Sequence, residues 1–283
     1  MPDLVHSLSQ KLKEIQIKRY IAPLLITVIL LVAEFSFGIL KGYEKFIVAL
    51  GSSILTELML GRLVLGKWRN LSSAYITGIS VSILVRSQLN WIYALCSMLS
   101  ITSKYVIRYK GTHIWNPSNF GVVALLILAS NKLAILSIQW GNNLWPMLVI
   151  WVLGFAIIWR VKRFHICATY VASFFFFSLL RSWITGDPFM AEISPITGPM
   201  YQLFVFFMIT DPKTTVKSRL GQYLVAFSIG LVEFIFRLNS FIYAPFYALF
   251  VVGPTAMFIE KWWQSHDFPK LAQYVSRSKI TSS

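Results

Sequence analysis

Charged residues are scarce in this sequence, and acidic residues are the scarcest. Only 13% of the 283 residues are charged, with 11 Asp and Glu against 26 Lys and Arg. A soluble domain carries roughly a quarter charged residues, so an ordinary soluble globular protein is excluded. The mean hydropathy of +0.64 and the apolar runs that recur along the whole chain predict an integral membrane protein.

Potential metal and haem ligands are also few. The chain has two cysteines and four histidines. Cys96 and Cys167 fall in separate apolar runs and form no CxxC pair, which argues against a structural disulfide or a zinc site. The histidines lie in tails, loops or the ends of apolar runs, whereas membrane haem needs ligands inside the spans. We therefore expect neither metal nor haem.

The net charge of +15 by itself would suit a nucleic-acid-binding protein, but the positions of the basic residues do not. They cluster in short loops between apolar runs, mostly on one side, as the positive-inside rule requires. This pattern predicts both termini on the cytoplasmic side of a bacterial-type plasma membrane and no nucleic-acid partner. The first 20 residues are polar, so we expect no cleavable signal peptide.

The apolar runs predict an all-α protein with about ten transmembrane helices. We expect cytoplasmic tails at residues 1–20 and 261–283 and one membrane domain at 21–260, with halves at 21–139 and 145–260. The predicted spans are 21–40, 46–65, 71–85, 91–103, 121–139, 145–160, 166–185, 197–210, 221–238 and 241–260.

A faint internal repeat accompanies these spans. Ile76-Thr77-Gly78 recurs as Ile196-Thr197-Gly198, and each copy opens an apolar run. If the repeat is structural, each half contains five spans, so the two halves are inverted relative to each other. Several spans are short or interrupted by Gly and Pro, which is typical of discontinuous helices around a central site.

Two polar segments interrupt the apolar pattern, one in each half. They run from Lys104 to Gly121 and from Ser194 to Thr215. Each contains a helix-stopping pair, Asn116-Pro117 or Asp211-Pro212, since proline disfavours the helical conformation of its predecessor. Polar residues at this density are costly in a bilayer unless they line a cavity or an interface. Each pair alone is equally consistent with a plain helix cap at the membrane surface, and the two together predict a polar site.

Charged residues also occur inside or near the ends of apolar runs. Glu233 and Arg237 are four positions apart, a spacing that allows an ion pair on one helix. Such residues pair structurally, snorkel to the interface, or line an ion or proton path. For the ion path the candidates are Glu34, Glu57 and Glu233, and Arg62 and Lys132 are also placed within spans.

At these motifs the chain resembles a known family. It is similar to the RnfD-type membrane protein of Rnf electron-transport complexes and to the corresponding membrane protein of the sodium-translocating NADH:quinone reductase. The resemblance covers about residues 45–260. It is carried by Ser73–Gly78, by the Lys104–Gly121 segment with Asn116-Pro117, and by Thr197-Gly198 through Thr210-Asp211-Pro212.

The resemblance implies two inverted five-helix repeats, similar to urea transporters, and flavin-mediated electron transfer coupled to ion movement. Relatives that bind FMN covalently use a threonine in a Ser-Gly-Ala-Thr type motif, which is absent here. The nearest string is Cys167-Ala168-Thr169. We therefore expect no covalent FMN and a flavin or quinone bound non-covalently. Its candidate ligands are Lys104, Arg108, His113, Asn116, Asn119, Thr197, Gly198, Thr210 and Asp211.

Three functional hypotheses fit the sequence. The first is a redox membrane subunit in which Tyr105, Tyr109 and Trp115 stack on the cofactor. The second is a small-molecule or ion transporter or channel on the same inverted-repeat scaffold. The third is a structural or assembly subunit. The expected partners are membrane lipid and other membrane or redox subunits.

Overall fold

The described part of the chain folds mostly into helices. This computed structural model describes residues 23–25, 27–28, 30–31, 34–35, 43–135 and 144–266, and its described residues among 23–35 are helical. The helices that follow are α1 (Tyr43–Leu65), α2 (Ser72–Leu84), α3 (Asn90–Val106), α4 (Pro117–Leu128), α5 (Leu144–Arg160), α6 (Phe164–Thr185), α7 (Phe189–Ile193), α8 (Pro199–Leu203), α9 (Arg219–Leu238) and α10 (Ala244–His266).

Four two-residue strands form two small antiparallel pairs. In the first pair β1 (Val85–Arg86) lies against β4 (Ala134–Ile135). In the second β2 (Arg108–Tyr109) lies against β3 (Thr112–His113). Both pairs stand at helix ends, where they satisfy backbone groups that no helix can satisfy.

Among the described residues three helices are long and apolar enough to cross a membrane, namely α1, α6 and α9. Helices α2 and α4 are apolar but shorter. The described part of the chain thus has the character of an all-α membrane protein. The predicted tails at 1–20 and, beyond His266, at 267–283 lie outside the described residues, as does most of the predicted span 21–40.

The predicted span 121–139 is too long at its C-terminal end. Helix α4 ends at Leu128, and a turn and strand β4 follow it. The polar run Ser130-Asn131-Lys132 explains this end, since such residues favour turns over helix. Lys132 lies exposed in that turn, so its placement inside a span is wrong.

The segment between α6 and α9 is not one continuous helix. After α7 come a 3-10 turn at Ser194–Thr197, the short α8 and a π-helical turn at Phe204–Met208. Pro195 and Pro199 each stand in the first turn of their element, where a missing N–H costs little. The prolines thus divide the segment at positions that a proline tolerates.

Close helix crossings hold the first half together. Helix α1 packs against α2 and α3, and α3 packs against α4. A Cβ on Gly121 of α4 would lie 2.0 Å from Ser100 Oγ and 2.5 Å from the carbonyl oxygen of Cys96 on α3. Only glycine allows the two backbones to approach this closely.

We expect Gly121→Ala to destabilise the protein by about 1–3 kcal/mol, because the added methyl overpacks the contact between α3 and α4. Gly51→Ala is the matched control, since its Cβ would meet no atom within 4 Å and alanine favours helix. Thermal unfolding in detergent measures both. Equal melting temperatures for the two variants would contradict the close packing at Gly121.

Candidate functional site

A β-hairpin at the end of α3 presents the first polar segment. Its turn residues Lys110 and Gly111 have positive φ angles of 47° and 79°, as a two-residue type I′ turn requires. The hairpin is anchored on α10, because Lys261 Nζ donates to the Tyr109 carbonyl at 2.8 Å and Lys110 Nζ donates to the Lys261 carbonyl at 2.9 Å.

Apolar contacts join this hairpin to the second polar segment. Ile114, which follows the hairpin, packs in one cluster with Val216 and Met257. Trp115 Nε1 donates to the Phe250 carbonyl at 2.9 Å. Residues about 100 positions apart in sequence are therefore neighbours at one end of the helix bundle.

The two helix-stopping pairs meet at this end. Asn116 caps α4 by accepting a hydrogen bond from the Asn119 N–H at 3.2 Å, and its Nδ2 donates to Asp211 Oδ2 at 3.5 Å. Asp211 also accepts from Thr214 Oγ1 at 3.0 Å and from the Lys213 N–H at 3.1 Å. The structure thus brings Asn116 and Asp211 together through one long hydrogen bond between the cap of α4 and a turn of the second segment.

Basic side chains lie within electrostatic range of Asp211. Burial lowers the pKa of Arg163, and the Asp211 charge opposes that shift. Burial also lowers the pKa of His113, where Asp211 again opposes the shift and Lys213 adds to it. Arg163 Nη1 is buried with no hydrogen-bond partner in the described part of the chain. The group around Asp211, which comprises Asn116, His113, Arg163 and Lys213, is called the Asp211 cluster below.

Arg163 is a member of this cluster that the sequence did not predict. In the sequence it is one of several basic residues in a loop, just before α6. Nothing local in the sequence indicates that position 163 approaches position 211, because the proximity results from how α6 packs beside the broken segment.

Lys104 is occupied by a buried ion pair. Its Nζ contacts Glu57 Oε2, with only 8% and 3% of the two side chains exposed. Tyr105 donates to Glu57 Oε1 at 2.9 Å, and Ser73 Oγ lies 3.4 Å from Lys104 Nζ. The structure therefore pairs Lys104, which the sequence assigned to the cofactor, with Glu57, which the sequence assigned to an ion path.

The other predicted ligands divide between the two ends of the broken segment. Thr210 is buried next to Asp211 and donates to the Phe206 carbonyl at 2.6 Å. Thr197 is exposed beside Gly198 at the start of α8 and donates to the Ser194 carbonyl at 2.7 Å. The helical turns of α8 and the π-helix separate these ends, by about 15 Å for ten residues at the α-helical rise.

Arg108 and Asn119 have structural partners. Arg108 Nη2 donates to the Gly111 carbonyl and so closes the hairpin. Asn119 is 1% exposed and its Nδ2 donates to the Phe246 carbonyl of α10 at 3.2 Å. Its Oδ1 has no partner in the described part of the chain.

The predicted ion pair between Glu233 and Arg237 is wrong. Glu233 accepts hydrogen bonds from the hydroxyls of Tyr170 and Tyr201. Arg237 Nη2 instead lies 2.9 Å from Glu192 Oε2, and Arg181 contacts the other Glu192 oxygen. Helical spacing allowed the predicted pair, but Glu192 on the short helix α7 offers Arg237 a better-placed carboxylate.

The third ion-path candidate, Glu34, lies in the described helical residues before α1. Its charge acts favourably on the Arg86 guanidinium at the end of α2. Glu34, Glu57 and Glu233 thus lie in separate surroundings.

The C-terminal half of the chain carries the family signal. Residues 134–269 match the family described as the NQR2, RnfD, RnfE family. This match confirms the resemblance predicted from the sequence and supports, in broad terms, a membrane subunit of the Rnf and NQR type. It includes Asp211, Arg163 and Glu233 but not Asn116. No curated protein gives a significant match to the chain.

The residues present fit a flavin or quinone in part. The cations of the Asp211 cluster and the unpartnered Arg163 Nη1 suit a phosphate or an anionic ring. The aromatic residues that would stack on such a ring are already packed. Tyr105 is bound to Glu57, Tyr109 contacts Phe258, and Trp115 contacts Phe120 and Phe250. Among the described residues no group of three His, Cys, Asp or Glu could hold a metal ion.

Replacing Lys104 by methionine should destabilise the protein by about 3–5 kcal/mol, because the buried Glu57 carboxylate loses its cation. Adding Glu57→Gln to that variant should recover much of the loss, since the remaining side chains are then uncharged. Thermal unfolding of the single and double variants measures this coupling.

Lys67→Met is the control for this pair, because Lys67 is exposed in the loop after α1. We expect a change within about 0.5 kcal/mol there. Additive effects of Lys104→Met and Glu57→Gln would show that the two residues do not form the pair.

The lowered pKa of His113 should make stability depend on pH. Between the folded and unfolded pKa values the unfolded state binds more protons, so the free energy of unfolding rises with pH. The contribution of His113 to the free energy of unfolding is complete above its unfolded pKa and falls as the pH drops below about 6.5. Melting temperatures from pH 7.5 to 5.5 should therefore fall less in His113→Gln than in the native protein. Identical slopes would contradict the burial of His113.

Proposed function

We propose that this protein is a membrane subunit of an electron-transport complex that binds a flavin or quinone non-covalently at the Asp211 cluster. One observation carries the proposal. The Asn116-Pro117 and Thr210-Asp211-Pro212 motifs, from opposite halves of the chain, meet there by the contact of Asn116 with Asp211. A site built by both halves at broken helices is where membrane proteins of this architecture place their ligands.

The charge at this site supports an anionic ligand. Arg163 and Lys213 outnumber the single carboxylate of Asp211, so the cluster has excess positive charge. Arg163 Nη1 is a buried donor in need of an acceptor, and leaving such a hydrogen bond unmade costs about 1–3 kcal/mol. A phosphate or an anionic ring oxygen would supply that acceptor.

In this proposal the protein binds and orients the group. Arg163 and Lys213 hold its negative charge, and Asn116 keeps Asp211 turned towards the cluster. A bound flavin or quinone would supply the electron-carrying chemistry. Covalent attachment at Cys167-Ala168-Thr169 is disfavoured because the Thr169 hydroxyl donates to the His165 carbonyl within α6.

We also propose the inverted-repeat architecture with both termini on the cytoplasmic side. Its support is the order of helix packing. In the first half α1 packs on α3 and α3 on α4, while in the second half α6 packs on α9 and α9 on α10. The match of Ile76-Thr77-Gly78 to Ile196-Thr197-Gly198 adds sequence support. Orientation in a bacterial-type plasma membrane follows from the distribution of Lys and Arg.

Ion movement is proposed to use the buried carboxylates Glu57 and Glu233. Each is at most 2% exposed and lies on a helix long enough to span a membrane. Intramembrane carboxylates are costly and mark ion or proton pathways.

Transport without electron transfer is the second candidate function. It is favoured by a cavity of about 320 Å³ beside Glu233 and Glu192, which Arg181, Tyr201 and Arg237 line. A cavity lined by two arginines that pair with the buried Glu192 suits a transporter's binding site.

The redox proposal is tested by the absorption spectrum of the protein purified in mild detergent. The spectrum is taken before and after acid precipitation. We expect a flavin band released into the supernatant, or an ultraviolet band of quinone in an organic extract that changes on borohydride reduction. Arg163→Gln should lower the amount bound by about tenfold, since one charge-assisted hydrogen bond is lost. Lys67→Gln is the control and should bind as the native protein does.

A protein that carries neither chromophore, and binds neither when FMN or a short-chain quinone is added, would overturn the redox proposal. Ion or solute flux through vesicles containing this chain alone would then support transport. A band that remains in the acid pellet would contradict non-covalent attachment.

A further inference from the structure

A polar cavity lies at the end of the first half that is opposite to the Asp211 cluster. Its volume is about 490 Å³. The residues that line it are Lys45, Arg86, Ser87, Gln88, Tyr93, Asn131, Lys132, Leu133 and Ala134. Helix α3 separates it from the Asp211 cluster, since Asn90 begins the helix near this cavity and Lys104 stands at its other end. Fourteen residues of helix correspond to roughly 20 Å, so the cavity is distinct from the proposed redox site.

Non-helical backbone frames this cavity. Strands β1 and β4 pair Arg86 with Ala134, and Ser87 Oγ donates to the Lys132 carbonyl at 2.7 Å. Lys45 Nζ donates to the Ser87 carbonyl at 2.7 Å. The connections after α2 and after α4 are therefore held together at one place.

Arg86 has spare hydrogen-bonding capacity at the wall of this cavity. Its Nη1 donates to the carbonyls of Val85 and Ser82 at 3.0 and 3.2 Å. Its Nε and Nη2 are buried and have no partner in the described part of the chain. These two donors form one edge of the planar guanidinium, the edge that binds two oxygens of a phosphate or carboxylate.

The lining of the cavity is cationic. It includes Lys45, Arg86 and Lys132, and none of the lining residues in the described part of the chain is a carboxylate. Two acidic residues lie nearby. Glu34 acts on Arg86 electrostatically, and Glu44 accepts from Asn90 Nδ2 at 3.4 Å. Two carboxylates near three cations still leave an excess of positive charge.

Placement in the membrane makes these cations unusual. The predicted orientation puts Lys45 and Arg86 on the side that the positive-inside rule depletes of Lys and Arg. Basic residues retained on that side, gathered around one cavity, need a reason other than topology. An anionic ligand is such a reason.

We propose that this cavity is a phosphate-binding site, with Arg86 as the bidentate ligand and Lys45 and Lys132 as the flanking cations. The phosphate belongs either to the headgroup of an anionic lipid or to a free phosphate compound. A cavity of this volume accommodates either one, since small-ligand sites begin at about 300 Å³.

The full chain in non-ionic detergent provides the test, with two probes. Inorganic phosphate is compared with chloride at equal ionic strength by thermal unfolding, because a ligand that binds the folded state raises the melting temperature. Phosphatidylglycerol is compared with a neutral glycolipid by native mass spectrometry. The variants are Arg86→Gln and Lys132→Gln, and Lys67→Gln is the matched control outside the cavity.

We expect Arg86→Gln to weaken binding of the phosphate group by about tenfold or more, since charge-assisted hydrogen bonds are lost. Lys132→Gln should weaken it several-fold, and Lys67→Gln should bind as the native protein does. Stabilisation by inorganic phosphate would identify a free phosphate compound, and retention of phosphatidylglycerol alone would identify a lipid headgroup.

Two outcomes would overturn the proposal. The first is that the native protein responds to neither probe beyond its controls. The second is that Lys67→Gln weakens binding as much as the cavity variants do, which indicates general charge attraction. Because Arg86 also bonds to Ser82 and Val85, Arg86→Gln could fail to fold. The exposed Lys132→Gln, combined with Lys45→Gln, then decides the question.

Discussion

Burying a carboxylate among apolar helices requires a cation or hydrogen-bond donors for it, and this requirement organises both halves of the chain. Glu57 on α1 is matched by Lys104 and Tyr105 on α3. Glu233 on α9 is matched by Tyr170 and Tyr201. An unmatched charge in such a position costs several kcal/mol. Each carboxylate therefore determines which helices can be neighbours.

The second organising element is backbone that leaves the helical path. Prolines divide the segment between α6 and α9, and the exposed polar groups are then satisfied locally. Asp211 accepts from Thr214 and Lys213, and Asn116 caps α4. These caps are also the place where the two halves meet. The same residues that end the helices therefore build the candidate site.

The two ends of the bundle differ in their balance of charge. At the Asp211 cluster a carboxylate accompanies the cations, and it opposes the effect of burial on Arg163 and His113. At the Arg86 cavity the described lining residues include three cations and no carboxylate, and Glu34 acts on Arg86 from nearby. Because the two sites share helix α3 but lie at opposite ends of it, ligands at the two sites would contact different residues.

Composition and apolar patterning determined the class of this protein, since a low content of charge and repeated apolar runs allow little besides a helical membrane protein. Proline and its preceding residue also marked the breaks at Asn116-Pro117 and Asp211-Pro212, although Asn116 and Pro117 begin α4 and do not stop a helix. Pairing across the chain was decided by tertiary structure alone. Glu57 pairs with Lys104, and Arg163 lies near Asp211, because helices distant in the sequence pack together. Arg237 pairs with Glu192 and not with its helical neighbour Glu233. Local spacing shows which pairs are possible, whereas packing decides which carboxylate each cation reaches.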